Sequence, residues 1–241
     1  MRMADARSPW YPYINVQQNY FDLRGAETIP RKICDYLIDA PSSGYTPADD
    51  NTFPRCRIWK YLYYDGAKPL ENALPTIEQK MSVVFDPSIP EEPPTDKGYR
   101  LYPQIYIKQA QETAQTRIMV YMGRTVPSND ELFMELSVIF DVYTHYTQEA
   151  NTRTDAYNRA FAIEQALIEA FHGVNMAGVG TFYFSKLKHA DCGSNVVYDG
   201  TNNVGRRITM ALEIPASKAQ GQSAAETLAE FNPGTAGLYL W

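Results

Sequence analysis

The sequence predicts an α/β (α+β) fold: a two-layer sandwich, its sheet mostly antiparallel, its helices packed on one face, with an extended arm at each end. Three observations carry this. Residues 131–146, ELFMELSVIFDVYTHY, alternate apolar and polar throughout, the period of a strand with one buried face. Residues 156–171 then repeat their apolar positions every three and four residues, the period of an amphipathic helix. Shorter alternating runs flank this pair on both sides.

Residues 1–25 read as an arm. SPWYPYINVQQNYF is dense in aromatics, is interrupted by Pro9 and Pro12, and has no stable period. The segment 26–98 follows. TIPRKICDYLIDAP predicts a short helix in which Thr28 caps, Pro30 occupies the first turn, and Ile29, Ile33 and Leu37 share a face. Residues 55–64, RCRIWKYLYY, alternate and are rich in aromatics, which predicts a strand. QKMSVVF predicts another. DPSIPEEPPTDKG is excluded from a sheet interior, because proline lacks the ladder donor.

Residues 99–215 form the predicted core domain, in the order β–β–β–α–β–β. LYPQIYIKQ and QTRIMVYMG predict a hairpin joined through AQETA. The long strand follows, with Leu132, Met134, Leu136, Val138, Phe140, Val142, Thr144 and Tyr146 on its even, buried face. Over residues 131–146 its reach is on the order of 50 Å. Ala156, Ala160, Ile163, Leu167 and Ala170 or Phe171 mark the helix face that covers it. Thr152 or Thr154 is the expected cap and Gly173 the exit. TFYFSKLK and RRITMALEI predict the last two strands, with a loop over 191–205. Ile105, Ile107, Ile118, Val120, Ile208, Met210 and Leu212 complete the buried face. The opposite face carries Lys108, Arg117, Glu135, Asp141, Arg207 and Glu213, a candidate channel or subunit-interface surface. Residues 216–241 form the second arm, ending in LYLW.

Composition narrows the function classes. Apolar content is 44% and charged content 21%, an ordinary globular balance. The net charge of −6 opposes tight general binding to nucleic acid, which needs Lys and Arg on phosphates. The first residues lack the apolar region of a secretory leader, and no apolar run approaches the ~20 residues of a membrane span, so no membrane partner is expected. Cys34, Cys56 and Cys192 are odd in number and widely spaced, which reads as reduced thiols in a reducing cytoplasm. The 18 tyrosines, with Trp10, Trp59 and Trp241, point either to contact surfaces or to the filling of a β-rich core.

Reaction chemistry is sparse. There is no Gly-rich phosphate loop, no G-x-S-x-G elbow and no Walker lysine. Gly178 and Gly180 lack the third glycine of a dinucleotide fingerprint, since Tyr183 stands there. His189 and Cys192 have the spacing of half a metal site, which His145 would have to complete; zinc needs three or four ligands. Glu135 and Asp141 lie about 20 Å apart along a strand, too far for a glycosidase pair. The expectation is no enzyme, no metal and no cofactor.

The hairpin feeding LFMELSVIFDVYTHY, the single helix AYNRAFAIEQALIEAF, then GVGTFYFSKL and RRITMALEI, resemble the tail terminator or tail completion (neck) proteins of tailed bacteriophages. The resemblance covers about half of the chain and rests on element order. It implies a virion protein of the tail or neck, made in the host cytoplasm. It further implies a homo-oligomeric ring, usually of six subunits, that contacts adjacent neck, tail-tube and connector proteins. DNA would pass through it without tight binding. Residues 1–98 and the C-terminal extension depart from that pattern. Trp10, Tyr11, Tyr13, Tyr239 and Trp241 are then candidate assembly arms. The alternatives are another ring-forming subunit of a phage tail or contractile injection machine, or an enzyme with an unrecognised site.

Overall fold

A computed structural model describes residues 26–39, 50–86, 98–104, 114–127, 133–147, 158–177, 179–200 and 202–215. Both terminal arms, Lys108, Ile105, Ile107 and Leu132 lie outside these residues. The fold is α+β, with helices α1 (Ile29–Ile38), α2 (Pro54–Tyr63), α3 (Ile77–Met81) and α4 (Arg159–Phe171). The strands are β1 (Leu101–Tyr102), β2 (Arg117–Pro127), β3 (Phe133–His145), β4 (Asn175–Met176), β5 (Gly180–Tyr183), β6 (Gly193–Asp199) and β7 (Asn203–Pro215). They form one sheet in the order β1-β2-β3-β7-β5-β4, and β6 pairs with β7 beside β5.

The centre of the sheet is the β3–β7 ladder. It runs without a break in register from Phe133 opposite Pro215 to His145 opposite Asn203. Each strand has 13 residues, about 40 Å of chain. The even residues of β3 carry the core, as their alternation requires. Val138, Phe140, Val142 and Thr144 are fully buried, and Met134 and Leu136 nearly so. Tyr146 falls beyond the strand and is exposed. Ile118, Val120, Ile208, Met210 and Leu212 lie on the same side. Against this side pack Ile33 and Leu37 of α1, Ile58 and Leu62 of α2, and Ile163, Leu167 and Phe171 of α4, in one continuous hydrophobic cluster. Phe171 links the layers, with its ring 5.2 Å from Phe140 and 5.1 Å from Phe182.

Several local expectations are corrected. Residues 55–64 are not a strand; 55–63 belong to α2 and Tyr64 is its C-cap. Its buried residues include six in succession, from Ile58 to Tyr63, so no amphipathic period is written in them, and their aromatics mimic strand composition. Pro54 in the first helical turn is the signal that decides it. QKMSVVF is likewise helical at its start. Thr76 accepts from Gln79 N–H while the Gln79 side chain accepts from Thr76 N–H, a capping box that sets α3. Only Val84 reaches the sheet, as a single bridge to Leu101.

The predicted hairpin is not one, because β1 runs parallel to β2, with Leu101 opposite Ile118. The loop predicted over 191–205 contains β6 and the start of β7, joined in a tight antiparallel hairpin. Its strand signal is the β-branched pair Val196–Val197 followed by Tyr198. The strand predicted over TFYFSKLK stops at Tyr183. Thr28 does not cap α1 through its side chain. The cap of α4 is Asn158, in the left-handed region at φ 70°, whose side chain accepts from Phe161 N–H.

The carbonyl ends of two helices are held by side chains that are buried, or in the case of Arg55 half-buried, which satisfies groups that a helix leaves open. At the end of α1, Tyr36 O accepts from Arg55, Leu37 O from Trp59 Nε1 and Ile38 O from Lys80. At the end of α2, Arg159 donates to the carbonyls of Tyr61, Tyr64 and Gly66, and Arg100 to that of Leu62. Arg100 also makes two bonds to the Asp65 carboxylate. Residues before and after position 99 thus share one core and one polar frame. Cationic donors suit helix C-termini, where the macrodipole is negative.

Candidate functional site

The face of the sheet opposite the helices carries the charged residues singled out by alternation. Arg117, Glu135, Asp141, Arg207 and Glu213 all occupy outward positions on β2, β3 and β7. The register then sorts them into two groups. Asp141 stands directly opposite Arg207, and Glu135 directly opposite Glu213.

The first group is a closed network. Arg207 Nε donates to Asp141 Oδ1 at 2.7 Å and Nη2 to Oδ2 at 2.8 Å, a bidentate pair. The Tyr121 hydroxyl donates to Asp141 Oδ2 at 2.8 Å. Asp141 is 2% exposed although it faces away from the helix layer. Burial, then the hydrogen bond to Asp141, push the Tyr121 hydroxyl proton well above its ordinary value. Arg207 is held in its charged form chiefly by the same carboxylate.

Around this network lies a second apolar cluster of Tyr102, Met119 and Tyr121, with Phe85, Tyr99, Ile139 and Tyr143 packed against it. The outward face is therefore not uniformly polar, as alternation alone suggests. Burial raises the Tyr102 hydroxyl to about 12, an effect that the charge of the neighbouring Arg117 partly offsets. Gly205, opposite Tyr143, has no space for a side chain, since a Cβ there would strike Val142 O and the Tyr143 ring.

The second group is acidic. Glu135 and Glu213 are like charges on adjacent strands, an unfavourable pair on its own. Lys188 relieves it by bonding Glu213 Oε2 at 2.6 Å, while its ammonium lies over the Tyr183 ring at 4.8 Å. The Lys188 ammonium is stabilised first by that hydrogen bond and also by the field of Glu135. Beside Glu135, β2 carries a bulge between Met122 and Thr125. There Ser137 turns its hydroxyl to Arg124 O at 3.1 Å, and it is 1% exposed rather than solvated.

Sequence reasoning found the face but missed Tyr121 and Lys188. Tyr121 was legible, because it shares the parity of Arg117 on β2. Lys188 was not, because it lies in the turn after β5. His189 and Cys192 are both buried: His189 Nδ1 accepts from Asp191 N–H, and the Cys192 thiol points to Tyr183 O at 3.8 Å. His145 instead pairs its Nδ1 with Thr147 Oγ1. Among the described residues no group of three or more His, Cys, Asp or Glu is arranged to hold a metal ion. All three cysteines are buried thiols, and burial is the main force raising each of them. No helix of the described residues is long and apolar enough to cross a membrane.

A two-layer fold with one closed face and one mixed tyrosine-and-charge face is the frame for the family comparison. The chain belongs to the YomW family, whose model matches residues 56–212, from α2 to near the end of β7. The family is phage-associated. No curated protein and no solved structure matches the chain.

Proposed function

We propose that this protein is a structural subunit of a tailed-phage particle, a ring-forming neck component of the tail terminator or head–tail joining type. The unbroken β3–β7 ladder, closed by helices on one side and bearing Asp141, Arg207, Glu135 and Glu213 on the other, is the observation that carries it. A ladder about 40 Å long gives a subunit a stiff wall tall enough to line a channel or abut a neighbour along its whole height. The phage-associated family supports the setting. In this reading the protein catalyses nothing and binds no cofactor; it works in the virion after synthesis in the host cytoplasm. Its partners are copies of itself, usually six, and the neck, tail-tube and connector proteins above and below.

The test is the solution mass of the 27.3 kDa chain, measured by size-exclusion chromatography with light scattering and paired with negative-stain images. Closed rings of one defined order support the reading. A monomer at every concentration up to the millimolar range refutes it.

A further inference from the structure

We draw no further inference here: the strongest candidate, the exposed apolar patch that Val196 and Tyr198 of β6 make with Phe161 of α4 beside a strand edge unpaired among the described residues, carries nothing, because nothing in the structure shows what covers it.

Discussion

Arg207 grips both carboxylate oxygens of Asp141 straight across the β3–β7 ladder, at 2.7 and 2.8 Å. One chain satisfies both charges, so neither depends on a neighbour for its counter-ion. Arg117 is itself 1% exposed, so in the ring reading the charges left for a neighbouring copy on this face are Glu135, Glu213 and Lys188.

The network is a stability element as much as a surface. Asp141 is buried, and loss of Arg207 leaves its charge held by Tyr121 alone. Arg207→Ala should cost on the order of 1–3 kcal/mol, less than a fully buried pair because the arginine is itself 42% exposed. Asp141→Asn in the same background should recover part of that loss, since the uncompensated charge is gone. Urea unfolding of the single and double variants checks both signs. A double variant weaker than Arg207→Ala contradicts the assignment.

Alkaline pH should destabilise the subunit through its tyrosines. Tyr121 and Tyr102 bind their protons more tightly folded than unfolded, chiefly because of burial. A raised folded pKa leaves stability fully present below the unfolded value, near 10. Above it the unfolded chain ionises first and stability falls; for Tyr102 the fall continues to about 12. Thermal midpoints should be insensitive to these two groups through neutral pH and drop beyond about pH 10. Tyr121→Phe should flatten that drop; an unchanged alkaline slope contradicts the buried hydroxyl.

The face assignment of β3 is tested by two charges placed three residues apart. Val138 is fully buried between sheet and helices, so Val138→Asp buries an unpaired carboxylate and should cost several kcal/mol, enough to prevent folding. Glu135→Lys changes sign on the opposite face beside Glu213 and should leave the fold intact. Circular dichroism of the two variants separates them. Equal damage from both would overturn the register of the sheet.

The long strand, its buried face, α1 and α4 were legible because each has one apolar side and one polar side. What failed had no such contrast. α2 is buried nearly all round, so its helical period is invisible and its aromatics read as strand. Ser137 and Asp141 sit at polar positions yet are buried, because a bulge and a tyrosine cluster cover them. The pairings Asp141–Arg207 and Glu135–Glu213 followed from register, which alternation constrains only to odd or even. The parallel course of β1 beside β2 left no trace in local periodicity, because two residues are too few to show one.

DNA should not adhere to the assembled protein. The chain carries −6 overall, Arg207 is neutralised by Asp141, and Glu135 with Glu213 outnumber Lys188 at the other end of the face. Fluorescence anisotropy with duplex DNA at physiological salt should show negligible binding. Affinity in the micromolar range or tighter, falling steeply with added salt, would identify a dedicated nucleic-acid binder instead.

The position of the protein in a particle tests the central claim most directly. Cryo-electron microscopy of phage particles that encode this chain should show it as a closed ring at the head–tail junction, its β3–β7 ladders side by side and the face bearing Asp141 and Arg207 turned to the channel or to the next subunit. Complete particles with no density for the chain, or with single copies away from the tail axis, would contradict the account.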